Sequence, residues 1–275
     1  MSLRIQNNIE AFDAHRQLTM TSDKLSKSME KLSSGYRINR AADDAAGLAI
    51  SEKLTAQIGG LDQAQRNAQD AVSLVQTAEG AMAEVHSMLQ RVRDLAVQYN
   101  NGTLSASDKA AITAEVAQLC AEVDRIGSQT KFNQIALLTG SGSISFQVGA
   151  EDGQTLSVSA VQLFGDTTAG ITGSIDVSVF NFTGATVSIS AIDDAINNVS
   201  AARSTFGSVQ NRLDHTLNNL ASYQENLTAS ESRIKDVDMA SEMVEFTKLQ
   251  ILQQAGTSML AQANSAPQTV LSLLR

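Results

Sequence analysis

Apolar residues along much of this chain recur at alternating steps of four and three, which is the heptad spacing of packed helices rather than the alternation of a strand. One such seam covers residues 54–96 and another covers residues 192–234, and each has nine apolar residues among thirteen seam positions. A shorter seam covers residues 112–126. The single proline, Pro267, lies outside all three seams, so no proline breaks these helices. Three helices with matching seams predict a rod-like antiparallel bundle.

Capping residues indicate where two of these helices begin and where one ends. Ser105 and Asp108 have the spacing of a capping box in front of the short seam, and Gly127 directly after it is a typical helix stop. Ser190 and Asp193 have the same spacing in front of the last seam. We therefore predict that a helix ends at Gly127 and that another begins after Ser190.

Residues 141–190 differ in composition, because they are rich in Gly, Ser, Thr, Val and Ile. Residues 143–148 and 155–161 alternate between apolar and polar, and Glu151-Asp152-Gly153 between them supplies a turn, so a β-hairpin is predicted here. Two further short strands are predicted over residues 175–180 and 185–189. We interpret this region as a small β-rich excursion between two helical halves.

Both ends of the chain have apolar residues with a helical period, and in the last forty residues they are not confined to one stripe. A helix that is apolar on more than one side needs neighbours on more than one side. Burying the large apolar side chains of the first forty residues would contribute roughly 20–25 kcal/mol. Ordering forty residues costs on the order of 60 kcal/mol. We therefore expect the two ends to pair, to leave apolar faces bare, and to order fully only when many copies associate.

Composition and charge argue against several classes of protein. The chain has 29 acidic and 20 basic residues, and its formal charge of −9 argues against a nucleic-acid surface. No apolar run approaches the roughly 18 residues of a membrane span. Residues 1–8 lack the apolar core of a secretory signal, so we expect any export to use a route without a cleaved leader. Cys120 is the only cysteine, so no intrachain disulfide is expected.

No set of side chains suggests catalysis or metal binding. His15, His86 and His215 are scattered along the sequence, and no HExxH stretch is present. We interpret His86 as a polar position inside the bundle and Cys120 as a small half-buried residue rather than a reactive thiol. The sequence therefore predicts a protein that is not an enzyme and that needs no cofactor.

Several runs of residues resemble the two conserved ends of bacterial flagellin. Residues 32–50 (LSSGYRINRAADDAAGLAI) and residues 90–98 (QRVRDLAVQ) are similar to its N-terminal region. Residues 232–243 (SRIKDVDMASEM) and residues 250–275, which contain QILQQAGT, LAQAN and VLSLLR, are similar to its C-terminal region. The resemblance covers roughly residues 1–140 and 190–275, in the family's order and spacing.

The resemblance implies a mainly α fold: a long antiparallel helical rod with paired terminal helices and a small β-hairpin region. It implies an inner tube from residues 1–43 and 235–275, a rod from residues 44–140 and 191–234, and the β-rich excursion at residues 141–190. The implied function is that of a structural subunit that assembles into the extracellular flagellar filament used for swimming. The chain would pass unfolded through the flagellar export channel.

The resemblance also implies contact residues. Assembly through the inner helices would use Ile5, Ile9, Phe12, Leu25, Met29, Leu32, Val244, Ile251, Leu252, Leu260, Leu271 and Leu274. A flagellar export chaperone would bind Val237, Met243, Phe246, Leu249 and Leu273. Further implied partners are other copies of the chain, the filament cap protein and the hook-junction proteins.

Two further groups of residues complete the set of candidate sites. Arg37, Arg40, Asp43 and Asp44 form a mixed-charge cluster where the N-terminal arm meets the rod, and we interpret it as a site of intersubunit pairing. In flagellins recognised by the animal Toll-like flagellin receptor, an Arg, a Leu and a Glu matter, and the matching residues here are Arg91, Leu95 and Glu115.

Two alternatives remain open on the sequence. A hook–filament junction protein has similar ends, although the Gln-Ala-Asn at residues 262–264 and the final Leu-Leu-Arg favour the filament subunit. A helical signalling or scaffold protein would also have heptad seams, but it would not need apolar extremities.

Overall fold

The computed structural model describes residues 8–139, 142–159, 182 and 187–273. Within these residues the chain forms five α-helices and two short antiparallel hairpins, in the order α1 (Ile9–Ser34), α2 (Ala45–Tyr99), α3 (Ala106–Gln129), β1 (Lys131–Phe132), β2 (Ile135–Ala136), β3 (Ser143–Gln147), β4 (Thr155–Ser159), α4 (Ile189–Lys235) and α5 (Met239–Leu273). The predicted mainly α fold with a small hairpin region is confirmed. Across the described residues, no helix combines the length and the apolar character needed to cross a membrane.

The three predicted seams lie within α2, α3 and α4. The capping box in front of α3 is confirmed, because the Ser105 hydroxyl accepts from the backbone N–H of Asp108 and the Asp108 carboxylate accepts from that of Ser105. The predicted stop at Gly127 is wrong by two residues. The helix continues to Gln129 because the N–H and the hydroxyl of Thr130 both donate to the carbonyl of Ile126, which closes the last turn.

The predicted start of α4 is also wrong, since α4 begins at Ile189 and Ser190 lies inside it. The cause lies just upstream. The side chain of Asn100 donates to the carbonyl of Val187 over 3.0 Å and accepts from its N–H over 2.9 Å, as a neighbouring strand would. This pair of hydrogen bonds fixes the chain two residues before the helix, so the helix starts without a capping box at Ser190.

The main hairpin is confirmed, with Ser143 opposite Ser159 and Gln147 opposite Thr155. Gly153 has a φ of 83° in its turn, a conformation that suits glycine. Of the two further predicted strands, residues 175–180 lie outside the described residues, and so do residues 185–186, while residues 187–188 form no strand. The β1–β2 hairpin was not expected from the sequence, and its turn residues Asn133 and Gln134 both have positive φ.

The chain divides into two compact units. We call residues 1–56 and 225–275 the terminal unit and residues 57–224 the central unit. This division differs from the three predicted segments, whose boundaries remain predictions. The predicted inner layer, residues 1–43 and 235–275, falls entirely within the terminal unit.

The central unit has a continuous apolar core made by α2, α3, α4 and the hairpins. At two levels where polar residues interrupt the heptad seams of α2 and α4, these residues meet each other. Gln65 donates to Gln224 over 2.8 Å, and Glu79 lies 3.7 Å from Arg203. Pairing polar with polar leaves the apolar seam positions facing apolar ones, which fixes the antiparallel register.

Candidate functional site

The terminal unit leaves half of its described large apolar side chains exposed to solvent. Among the described residues, only Ile38 and Leu249 are buried hydrophobic residues of this unit, whereas the central unit buries a long series. Twelve of the fifteen exposed large hydrophobic residues belong to the terminal unit: Ile9, Phe12, Met20, Met29, Tyr36, Ile50, Met239, Met243, Val244, Ile251, Leu252 and Met259. An apolar surface of this extent marks an interaction site. We call the exposed apolar residues of α1 and α5 the outer face.

The outer face lies on a pair of helices, α1 and α5, that pack against each other. The two helices approach closely at Gly256, where a β-carbon would lie 3.2 Å from Cδ1 of Leu18. Ser28 and Leu249 are the buried residues of the two helices. A two-helix pair can bury only one stripe of each helix, so the remaining apolar residues stay exposed.

A short backbone pairing joins the end of α1 to the segment between α4 and α5. Gly35 ends α1 with a φ of 76°, and its carbonyl accepts from the N–H of Val237 over 3.0 Å. The N–H of Arg37 donates to the carbonyl of Lys235 over 2.7 Å, and the Lys235 ammonium lies 4.7 Å from the centroid of the Tyr36 ring. These contacts hold the first and last helices side by side at their junction with the rest of the unit.

The structure leaves most of the described predicted assembly residues exposed. Phe12 and Val244 are each 71% exposed, and Ile9, Met29, Ile251 and Leu252 are exposed as well. Leu25, Leu32 and Leu260 are half-buried. Ile5, Leu274 and the side chain of Leu271 lie outside the described residues. Their roles in assembly remain predictions.

Six exposed residues of the terminal unit are absent from the predicted assembly set: Met20, Tyr36, Ile50, Met239, Met243 and Met259. Met20 is two positions from Leu18, so it falls off the stripe that the spacing of Leu18 and Leu25 defines. The signal that could have found it is the composition of the two terminal helices, which hold five of the eight methionines.

The mixed-charge cluster makes its contacts within the chain. Arg37 donates from Nη2 to the carbonyl of Ile234 over 2.6 Å, and Arg40 lies 2.9 Å from Glu30. Asp43 accepts from the backbone N–H groups of Arg40 and Asn39, and these hydrogen bonds lower the pKa of its carboxyl group.

Asp44, the fourth member of the cluster, accepts from the N–H of Gly47 over 2.9 Å and so caps the first turn of α2. The cluster thus shapes the turn between α1 and α2. Intersubunit pairing of these four residues remains a prediction.

Arg91 and Glu115 form an ion pair between α2 and α3. Arg91 donates from Nε over 3.0 Å and from Nη2 over 2.7 Å to the same carboxylate oxygen, and both side chains are largely exposed. Leu95 is only 2% exposed and belongs to the core of the central unit. A receptor that contacts this surface would therefore meet Arg91 and Glu115 directly, while Leu95 supports α2 from beneath.

The predicted chaperone residues are not all accessible. Met243 is exposed, Val237 and Phe246 are half-buried, and Leu249 is only 4% exposed. The side chain of Leu273 lies outside the described residues. A chaperone that binds Leu249 must therefore meet α5 when it is not packed against α1.

Charge does not oppose association of the outer face. The terminal unit carries 12 basic and 13 acidic residues, so its formal charge is −1, whereas the central unit carries 8 basic and 16 acidic residues and has a formal charge of −8. Nearly all of the net charge of the chain thus belongs to the central unit. The terminal unit itself is nearly neutral, so its own charge offers little repulsion to a second terminal unit.

The described residues form no group of three or more metal-binding side chains. Cys120 is half-buried beside the core, and burial raises the pKa of its thiol to about 11, so the thiol is not a nucleophile at neutral pH. A cavity of about 490 Å³ in the central unit has His215 and Tyr223 among its lining residues, and no carboxylate, cysteine or second histidine is among those that line it, so this lining offers no catalytic set.

Comparison with known proteins agrees with the geometry. The chain matches the bacterial flagellin N-terminal helical region over residues 5–143 and the bacterial flagellin C-terminal helical region over residues 189–274. It is 52% identical over 272 residues to a flagellin of Halalkalibacterium halodurans, covering 98% of this chain and 99% of that one. It is 48% identical to a flagellin of Bacillus subtilis, covering 99% and 100%.

A solved structure of a putative flagellar hook-associated protein from Vibrio parahaemolyticus shares the fold, with 16% identity and a TM-score of 0.59 over 70% of this chain and all of that one. At that identity the likeness concerns the fold alone. The two relatives, by contrast, span nearly the whole sequence, and the two family matches cover both of its helical ends. The chain belongs to the bacterial flagellin family.

Proposed function

We propose that this chain is the structural subunit of an extracellular flagellar filament and that copies associate through the outer face. The observation that carries the proposal is the distribution of exposed apolar residues, twelve of which lie in the terminal unit. Covering the exposed half of these side chains would contribute roughly 10 kcal/mol per copy. That is comparable with the cost of immobilising one copy, so each copy needs several neighbours. Head-to-tail contacts that do not close then extend the assembly as a filament.

Motility is a mechanical function, and it requires no active-site chemistry from this chain. The names of the two relatives favour the filament subunit over the hook–filament junction protein. The filament cap protein at the growing end and the hook-junction protein at the base are further partners in this proposal.

The direct test is assembly of purified protein, measured by sedimentation and negative-stain imaging over a range of concentrations. Val244→Glu places a charge in the outer face and should abolish filaments or raise the concentration required by about tenfold or more. Asn101→Asp, in the exposed turn before α3, adds the same charge outside the terminal unit and should assemble as the unmodified chain does. Filaments of Val244→Glu at the unmodified concentration would contradict the proposal.

An export chaperone binds α5 before assembly, in place of α1. Burial of Leu249 in the helix pair supports this order, because the chaperone and α1 compete for the same residue. Hydrogen exchange of the full chain with its chaperone tests the competition. We expect α5 to become protected while α1 remains unprotected, and simultaneous protection of both helices would count against the competition.

Recognition by the Toll-like receptor uses the exposed ion pair of Arg91 and Glu115. Arg91→Ala should reduce receptor activation by the monomer. Arg125→Ala removes another exposed arginine that pairs with a glutamate, Glu122, and should leave activation unchanged. Equal activation by the two variants would remove Arg91 from the proposed contact.

A further inference from the structure

The described methionines divide sharply between the two units. Five of them, Met20, Met29, Met239, Met243 and Met259, lie in α1 and α5 and are 48–65% exposed. They therefore make up a large share of the outer face, together with residues such as Phe12 and Val244. Methionine is flexible and polarisable, which suits a surface that must fit more than one neighbour.

The other two described methionines lie in the central unit. Met82 is completely buried in its core, and Met88 is half-buried against the same core. Because both sit on α2 among packed apolar side chains, a dissolved reagent reaches them far less readily than it reaches the outer face. The chain thus contains an internal control for any reaction at methionine sulfur.

We propose that the five methionines of the outer face are an oxidation site and that their oxidation blocks association of the unassembled chain. In the reaction with hydrogen peroxide, the thioether sulfur takes one oxygen atom, the O–O bond breaks and water leaves. The sulfur is oxidised and the peroxide is reduced. Exposure sets which methionines react, so the outer face is oxidised before Met82 and Met88.

The consequence follows from the change in polarity. A sulfoxide is a polar, hydrogen-bond-accepting group, and burying it in an apolar contact without a partner opposes association. Assembly would cover the same sulfur atoms and protect them. This inference rests on the proposed function, since it requires the outer face to be the assembly surface. It makes the chain sensitive to oxidant in the interval between export and assembly.

The first measurement is peptide mass spectrometry of the dilute full chain after brief exposure to hydrogen peroxide. We expect sulfoxide at the five outer-face methionines well before it forms at Met82, and slower oxidation of the same five in assembled protein. Oxidation of Met82 at the rate of Met259 would overturn the inference.

The second measurement compares assembly before and after the same treatment. We expect the oxidised chain to need about tenfold or more higher concentration to assemble, and we expect treatment with both methionine sulfoxide reductases to restore assembly. Replacing the five outer-face methionines with leucine keeps their apolar volume and should make assembly resistant to peroxide. The matched control Met82→Leu, Met88→Leu should remain sensitive.

Two outcomes separate this inference from the function on which it rests. Unaltered assembly of fully oxidised chain overturns the inference and leaves the proposed filament function standing. Failure of the untreated chain to assemble at any concentration overturns the filament function, and the inference falls with it.

Discussion

The side-chain amide of Asn8 donates a hydrogen bond to the carbonyl oxygen of Ala263 over 2.7 Å, joining residues that lie 255 positions apart in the sequence. The other end of the same side chain accepts from the N–H of Ala11 over 3.1 Å and caps α1. One asparagine therefore starts the first helix and ties it to the last. The first and last helices therefore form one structural element.

This dual role can be separated by substitution. Asn8→Ala removes both the cap and the tie, and the lost cap alone costs about 1 kcal/mol, which should raise the concentration needed for assembly about fivefold. Asn8→Asp keeps the capping oxygen and loses only the donor. The concentration that it needs for assembly should therefore lie between those of Asn8→Ala and the unmodified chain. Sedimentation assays measure these concentrations, and identical values for all three chains would contradict the assignment.

Two adjacent glycines of α2 should respond oppositely to the same change. A β-carbon on Gly60 would lie 2.9 Å from the β-carbon of Ala150 in the hairpin turn, whereas one on Gly59 would meet open space. Gly60→Ala should destabilise the central unit by about 1–3 kcal/mol through overpacking. Gly59→Ala should stabilise it by about 0.5–1 kcal/mol, because alanine loses less backbone entropy in a helix. Chemical unfolding of the two variants measures both effects.

Gln65 and Gln224 are hydrogen-bonded polar positions of the α2 and α4 seams, so substitutions of the two should have non-additive effects on the free energy of unfolding. Gln224 donates to Asp62 over 2.5 Å and accepts from Gln65, and all three side chains are half-buried. Gln224→Leu removes a partner from both the Gln65 amide and the Asp62 carboxylate and should cost about 1–3 kcal/mol. Adding Gln65→Leu should recover the part of that loss that comes from the Gln65 amide, because both seam positions are then apolar. Purely additive free energies of unfolding would show that the two residues do not act as a pair.

Burial of Cys120 predicts a defined pH dependence. Its pKa is raised from 9.0 to about 11 in the folded chain, so the folded state keeps the thiol neutral where the unfolded state ionises it. The contribution of Cys120 to stability is therefore complete below about pH 9 and is lost as the pH rises towards 11. Alkylation of the folded chain should accelerate over the same range. Rapid alkylation near neutral pH would contradict this assignment.

The sequence predicted the helices well, because heptad spacing reports directly which residues face a neighbour. It also predicted that the ends would pair and leave apolar faces bare. The exposed side chains of Phe12 and Val244 agree with this prediction. It could not predict the start of α4, which depends on Asn100, a residue 87 positions away from Val187. Periodicity along one helix carries no information about such a tertiary contact.

The candidate contact residues also show that local sequence predicts a position on a helix but not its burial in the tertiary structure. Leu95 and Leu249 are contact residues that the family resemblance implies, but their burial depends on which helices pack over them. Spacing can place a leucine on a stripe. It cannot tell whether that stripe faces solvent, a partner protein or the interior of the same unit.

The central claim is that one copy alone cannot cover the outer face and that association covers it. Amide hydrogen exchange of the full chain, compared below and above its assembly concentration, tests this most directly. The account predicts fast exchange in α1 and α5 when the chain is dilute, strong protection of both on assembly, and a protected central unit throughout. Terminal helices as protected in the dilute chain as in the assembled one would contradict it.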